Sequence, residues 1–342
     1  MMIIMNKYDK NSLKAEEFIN DGEILDSLKF ADENKNNLEL VDKIIEKARL
    51  KKGINHHEAS VLLACEDKER IKEIYNLARQ IKKDFYGDRI VMFAPLYLSN
   101  YCVNGCVYCP YHAKNKHICR KKLTQNEVRK EVIALQDMGH KRLAIEAGED
   151  PVNNPIEYIL DCIKTIYSVN HKNGAIRRVN VNIAATTVEN YKKLKEAGIG
   201  TYILFQETYN KKSYEQLHPT GPKHNYNYHT EAMDRAMQGG IDDVGIGGLF
   251  GLELAAVQQR EDLMQRLKGV DVVALIGQIV GAEDHILRRN RDGLAVLRTQ
   301  QVVCREHQHT RFCLRLRRQR HVNCHLVAVE VGVERGAAQR MQ

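Results

Sequence analysis

Three cysteines stand close together in the stretch NYCVNGCVYCPYH, with three residues between Cys102 and Cys106 and two between Cys106 and Cys109. Thiols spaced this tightly, under reducing conditions, are metal ligands or catalysts rather than disulfide partners. Thiolates are the usual ligands of iron–sulfur clusters, four for a closed cubane. Three local cysteines leave one iron open, and an open metal position is what a catalytic centre keeps so that a small molecule can bind. The alternative at this point is a zinc ion completed by His112 or by a distant residue.

The chain that must position these thiols has 342 residues, 43% hydrophobic and 28% charged, the composition of a soluble globular protein. No apolar run approaches the roughly 18–20 residues that span a bilayer, and the opening MMIIMNKYDK is too short and wrongly flanked for a secretory signal. The expectation is a cytoplasmic protein with no membrane partner.

From about residue 89 to 253, strand and helix signals alternate with little slack, which predicts a parallel sheet with crossover helices. IVMFAPLYLS (90–99) reads as the first strand, and the cysteine loop follows it. TQNEVRKEVIALQDMG reads as the first helix, with Thr124 and Glu127 at capping-box spacing and Gly139 at its stop. RLAIEAGE, RRVNVNIAA, TYILFQETY and DDVGIGGLFGL read as the next four strands. Helices in IEYILDCIKTIYSV, TVENYKKLKEAG and around HTEAMDRAMQGG separate them. The fold class is α/β, a partial β/α barrel after a helical N-terminal region (1–88). In such folds the chemistry sits at the carboxyl ends of the strands, where the cysteine loop falls.

Cys65 and Cys162 lie on amphipathic helical patterns and read as buried hydrophobes. Asn180 and Asn182 alternate with Val179, Val181 and Ile183, so both amides share one strand face, and that face meets something polar. The HPTGPKH loop carries His218 and His224 and looks ligand-like, although exposed loop histidines are common.

Cys-x3-Cys-x2-Cys after the first strand of a β/α barrel, with Tyr108 just before the third cysteine, resembles the radical S-adenosylmethionine superfamily. The resemblance implies a 4Fe-4S cluster on Cys102, Cys106 and Cys109 whose open iron chelates S-adenosylmethionine, followed by one-electron cleavage of the sulfonium. Longer stretches, such as FAPLYLSNYCVNGCVYCPYHAKNK and LHPTGPKHNYNYHTEAMDRAMQGGIDDVGIG, resemble the tyrosine lyase family that matures FeFe-hydrogenase, the HydG family, over about residues 55–253. The thiamine-pathway tyrosine lyase that makes 2-iminoacetate is a close relative, and both families imply radical cleavage of L-tyrosine between Cα and Cβ to p-cresol and dehydroglycine. Implied partners are L-tyrosine, an electron donor such as a ferredoxin or flavodoxin, and other hydrogenase maturation proteins.

By position within that resemblance, EAGED stands where the superfamily has Gly-Gly-Glu, with Ala147 in place of the first glycine. Gly148 and Glu149 are then expected to receive the amino group of S-adenosylmethionine, Asn182 to contact its ribose, and Glu207 and Arg235 to handle its ribose and carboxylate. Tyr108 joins them as a cofactor-side residue. The family's last barrel strands, which line the tyrosine pocket, lack counterparts here, so the resemblance assigns no residue to tyrosine.

Past about residue 253 the composition changes abruptly. Residues 1–252 use ten Arg to 27 Lys, whereas 253–342 use 14 Arg and the single Lys268, and all 15 Tyr precede the break. Such a switch is what a change of base composition or reading frame produces, and the tail (254–342) reads as foreign or frame-shifted sequence. An uninterrupted frame found at the source locus of several isolates would overturn that reading. Cys304, His307, His309, Cys313, His321, Cys324 and His325 are numerous enough for a zinc site, but their spacing fits no finger pattern and reads as accidental. Nucleic acid is not an expected partner. ELAAVQQREDLMQRLKG and VDVVALIGQIV read as a helix and a strand of a crude sixth unit. No second Cys-x2-Cys follows Cys109, so an inactive hybrid, acting at most as a metal-binding or interaction protein, stands beside the enzyme reading.

Overall fold

The computed structural model describes residues 9, 11–51, 53–172 and 174–249, and the backbone alone of 331–334. Among these residues the chain forms two units, one of Ile24–Asp88 and the other of Arg89–Gly248 with the residues up to Glu23 and the segment 331–334.

After a short α1 (Ala15–Phe18), the chain forms α2 (Asp21–Asn34), α3 (Leu38–Arg49), α4 (His56–Ala64) and α5 (Lys68–Tyr86). The starts of the last three are written locally. Asn37 accepts from the Leu40 N–H, Asn55 and Glu58 close a capping box, and Asp67 accepts from the Arg70 N–H. α3 packs on α4 and α5 and buries Val41, Ile44, Ile45 and Ala48 at helical spacing. Arg70 ties α5 to α3 by donating twice to the Asp42 carboxylate, each bond 3.0 Å long.

The other unit runs β1 (Ala94–Ser99), α6 (Gln125–Asp137), β2 (Arg142–Ala147) and α7 (Ile156–Ser168), then a small hairpin of β3 (Asn170–His171) and β4 (Gly174–Ala175). It continues through β5 (Arg178–Asn182), α8 (Val188–Glu196), β6 (Tyr202–Glu207), α9 (Lys211–Leu217), α10 (Tyr226–Thr230), α11 (Ala232–Gln238) and β7 (Asp243–Gly248). The sheet order is β1-β2-β5-β6-β7-β8, all parallel except β8 (Val331–Glu334), which runs antiparallel to β7. Alternate residues Leu96, Leu98, Leu143, Ile145, Val179, Val181, Tyr202 and Leu204 share a buried core with Val128, Val132, Ile159, Ile163, Leu194 and Ala236 of the crossover helices. Each such burial contributes about 1.5–3 kcal/mol before the entropy of ordering is counted. The intervening residues therefore lie on the opposite face of the sheet, and one row of them runs Tyr97, Glu146, Asn182, Ile203 and Gly245 by register.

The expected α/β alternation is present, but the β3–β4 hairpin and α9 were not read from the sequence, the helix around HTEAMDRAMQGG is split into α10 and α11, and the first and last strands differ. The first strand begins at Ala94 rather than Ile90, because Ala94 already pairs with Leu143, next to the start of β2 at Arg142. Residues 90–93 outrun that partner, and Ile90 is left 81% exposed. The fifth strand stops at Gly248, and the rest of its predicted span, from Phe250 on, lies outside the described residues, as do the helix and strand read in the tail and its seven Cys and His residues. β8 was not foreseen, although its VGVE continues a run of alternating valines. Cys65 and Cys162 are buried, as their helical patterns required.

Candidate functional site

The cysteine loop leaves β1 at Ser99 and returns as an isolated bridge between Ser99 and Lys122. Cys106 is buried, Cys102 and Cys109 are half-buried, and all three are free thiols. Burial pushes the Cys106 thiol up to about 11, against the pull of the nearby Lys223 ammonium, and burial raises Cys109 in the same sense. A positive group close by favours the thiolate form that a metal needs.

One residue that the sequence did not single out fixes the loop's path. The Arg120 guanidinium donates to four backbone carbonyls, those of Asn100 (2.5 Å), Tyr111 (2.8 Å), His112 (2.8 Å) and Asn115 (3.3 Å). Arg120→Ala is expected to lower apoprotein stability by about 1.5–3 kcal/mol, the range for hydrogen bonds to a charged group. It should also lower the iron bound per chain after reconstitution. Unchanged denaturant midpoint and iron content would show the loop to be held by other means.

The end of β2 closes on this loop through backbone. Gly148 N–H donates to Ser99 O at 3.1 Å and Val103 N–H donates to Glu149 O at 2.8 Å. A Cβ at Gly148 would lie 2.3 Å from Tyr101 O and 2.9 Å from Cys102 Cβ, so only glycine permits the approach. Asn104, also unremarked in the sequence, is buried and binds both sides: its amide N–H donates to the Glu149 carboxylate at 2.6 Å, and its oxygen accepts from Lys223 N–H at 2.9 Å. Burial raises the Glu149 carboxyl above its ordinary value, with Asn104 and Lys223 acting against it.

The HPTGPKH segment is the third wall. Gly105 N–H donates to Thr220 O (2.9 Å) and Val107 N–H to Leu217 O (3.0 Å), pinning the cysteine loop to it. Gly221 has φ +92°, and a Cβ there would meet Asn104 Oδ1 at 2.3 Å. His218 is completely buried, contrary to the reading of an exposed loop histidine. Its Nδ1–H donates to Tyr214 O and its Nε2 accepts from the Tyr108 hydroxyl, each at 2.8 Å. Burial and then Lys223 push its pKa down to about 3, so the ring is neutral and both nitrogens are engaged. His224 Nδ1 faces His218 O at 2.6 Å. These histidines brace the loop.

Lys223 donates to Glu207 at 3.2 Å and stands 5.9 Å from the Tyr108 ring centre. Glu207 is buried and has φ +68°, a left-handed conformation that costs a non-glycine residue on the order of 1 kcal/mol and occurs where surrounding structure enforces it. Cys102, Cys106, Cys109, Tyr108, Gly148, Glu149 and Glu207 are thus joined in one network at the carboxyl ends of β1, β2 and β6.

The two strand amides separate in role. Asn180 accepts from Arg178 Nε–H and from Thr201 N–H, both at 3.1 Å, and is structural. Asn182, half-buried at the end of β5, has no hydrogen-bond partner for its amide among the described residues. Arg235 is not paired with Glu207. Its guanidinium donates to Thr186 O (3.1 Å) and Tyr228 O (2.5 Å), lies 3.8 Å from the Tyr228 ring centre, and has Glu231 at 3.8 Å.

These residues fit a site-differentiated cluster. Among the described residues Cys102, Cys106 and Cys109 stand close together on the loop, with the free Cys119 exposed farther along it, Lys223 acts on Cys106 and Cys109, and the glycine cradle at Gly148 brings main chain against the loop. Among the described residues the three Sγ atoms do not form a group lying entirely within 4.8 Å of one another. Thiolates on one tetrahedral zinc stand about 3.8 Å apart, given Zn–S bonds of about 2.3 Å.

No helix among the described residues is long and apolar enough to cross a membrane. The chain is 58% identical to a crystal structure of HydG, titled a maturase of the FeFe-hydrogenase, with a TM-score of 0.70 over 73% of this chain and 54% of that one. It is 38% identical to HydG from Carboxydothermus hydrogenoformans, with a TM-score of 0.63 over 72% of this chain and 58% of that one. It is 28% identical to the 2-iminoacetate synthase of Salmonella typhimurium over 61% of this chain and 53% of that protein. The chain therefore spans about half the length of the curated relatives it matches. The Radical SAM superfamily matches residues 96–267, which include every residue of the network above. The chain belongs to the radical SAM superfamily, whose cofactors are a 4Fe-4S cluster and S-adenosylmethionine.

Proposed function

We propose that this chain is a radical S-adenosylmethionine lyase directed at L-tyrosine, cleaving Cα–Cβ to p-cresol and dehydroglycine in the maturation of FeFe-hydrogenase. The observation that carries the reading is the three-thiol loop locked against the Gly148–Glu149 backbone, in a chain 58% identical to HydG over most of its length. The 2-iminoacetate synthase relative supports the same cleavage in another pathway, at lower identity. When bound, the cluster and S-adenosylmethionine supply one-electron sulfonium cleavage and hydrogen-atom abstraction.

The protein's part is placement. Cys102, Cys106 and Cys109 would hold three irons. The Gly148–Glu149 backbone would receive the amino group of S-adenosylmethionine, Asn182 offers an uncommitted amide to the ribose, and Glu207 offers a carboxylate already oriented by Lys223. Tyr108 and neutral His218 stiffen the loop and hold no proton available to solvent. An external electron donor such as a ferredoxin or flavodoxin, and other maturation proteins, are the partners this reading requires. Anaerobic iron and sulfide reconstitution, followed by assays for 5′-deoxyadenosine and p-cresol, tests it. A reconstituted protein forming neither product would favour a metal-binding or interaction role.

Arg235 takes the carboxylate of S-adenosylmethionine in this scheme, after giving up a carbonyl. Arg235→Ala should weaken S-adenosylmethionine binding by about 1.5–3 kcal/mol. Calorimetry showing unchanged affinity would leave Arg235 as a brace between Thr186 and Tyr228.

A further inference from the structure

Glu146 is a half-buried carboxylate that the network above leaves unused. It lies on β2, on the sheet face opposite the helices, in register between Tyr97 of β1 and Asn182 of β5. Adjacent strands are about 4.8 Å apart, so these three side chains neighbour one another across the sheet. Tyr111 and Cys109 are near as well, since Tyr97, Glu146 and Cys109 all act on the Tyr111 phenol, whose pKa burial raises to about 12. Glu146 therefore faces the same space as the cysteine loop.

Its surroundings differ from those of the other half-buried or buried carboxylates. Glu149 has Asn104 and Glu207 has Lys223, whereas Glu146 has no hydrogen-bond or ion-pair partner among the described residues. Burial alone pushes its carboxyl up to about 7. A carboxylate taken out of water without a partner is costly, and a cation that arrives with a ligand removes that cost. The oxygen set selects among cations. One carboxylate offers a single negative charge and two acceptor oxygens, which suits a primary ammonium with its N–H donors. A divalent metal ion draws on more carboxylates or on bound waters.

We propose that Glu146, in the row Tyr97–Glu146–Asn182, is the subsite that receives the ammonium group of an amino-acid substrate. The inference rests on the reading of the chain as an amino-acid lyase and deepens it by assigning a substrate contact. It places the substrate amine on the β2 side of the cysteine loop, at the residue that Ala147 separates from the Gly148–Glu149 backbone assigned to S-adenosylmethionine.

The test is calorimetry on the full chain, reconstituted and saturated with S-adenosylmethionine. The ligands are L-tyrosine, tyramine, which keeps the amine, and 3-(4-hydroxyphenyl)propanoate, which lacks it. The parent protein should bind the two amines and discriminate against the third compound. Glu146→Gln should weaken both amines about ten- to hundredfold, the factor for a lost hydrogen bond to a charged group. Affinity for S-adenosylmethionine should stay within about twofold. The inference is overturned if Glu146→Gln leaves the amines unaffected, if the desamino acid binds as well as L-tyrosine, or if the variant loses S-adenosylmethionine instead. Where the variant misfolds, the parent protein's discrimination between tyramine and the desamino acid decides alone. Binding of aliphatic α-amino acids but not of tyrosine or tyramine, lost in Glu146→Gln, would support the subsite while sinking the tyrosine reading. A parent protein that binds no primary amine overturns the subsite.

Discussion

Reconstituted anaerobically and supplied with S-adenosylmethionine, a strong reductant and L-tyrosine, the chain should form 5′-deoxyadenosine, little or no p-cresol, and no carbon monoxide or cyanide. The first half of this expectation follows from where the groups lie. Every residue assigned to the cluster or to S-adenosylmethionine falls between Cys102 and Arg235, among the described residues. The second half follows from the sheet. Among the described residues its parallel part has five strands, and the strand beside β7 runs antiparallel, where an eight-stranded parallel barrel would add another parallel strand. Tyrosine must be held with its reacting hydrogen beside the adenosyl carbon, and an error of about 1 Å costs on the order of a hundredfold. The absence of carbon monoxide and cyanide follows from the sequence, which has no second Cys-x2-Cys after Cys109. Carbon monoxide trapped by a haem reporter above a Cys106→Ser control would overturn this account and give the tail a site of its own.

Cys106→Ser should abolish the cluster. Parent protein should hold about one 4Fe-4S cluster with one distinct iron, because three local thiolates are available for it. Cys106 is the most buried of the three and sits between its partners in sequence, so its loss leaves two half-buried thiols that cannot retain a cubane. Iron and sulfide analysis with electron paramagnetic resonance of the reduced protein checks this. A variant binding as much iron as the parent would remove the cluster assignment.

Much of the scaffold was legible because its signals are local. Thr124 and Glu127 do close a capping box, and Gly139 does stop its helix with φ of +93°. The alternation of Val179 and Val181 with two amides does place the valines in the core. The residues that were missed have meaning only through partners far along the chain. Asn104 is an ordinary loop residue until the fold brings Glu149, 45 residues on, and Lys223, 119 residues on, to its two sides. Arg120 could as well have been a solvated charge, since nothing in its neighbours announces four inward carbonyls. The start of β1 was misjudged because Ile90–Phe93 have strand character of their own, whereas the ladder's length is set by β2. His218 looked like a loop histidine because it caps α9 just past Tyr214 and is bonded by Tyr108, 110 residues earlier in the chain.

Arg120 has one more consequence. The four carbonyls it gathers belong to protein alone, so the curvature that aims the thiols inward is maintained by bonds that involve no iron. The ordering entropy of the loop is then met during folding rather than when the inorganic core is inserted. Refilling the loop after loss of the metal would then be a local repair rather than a second act of folding.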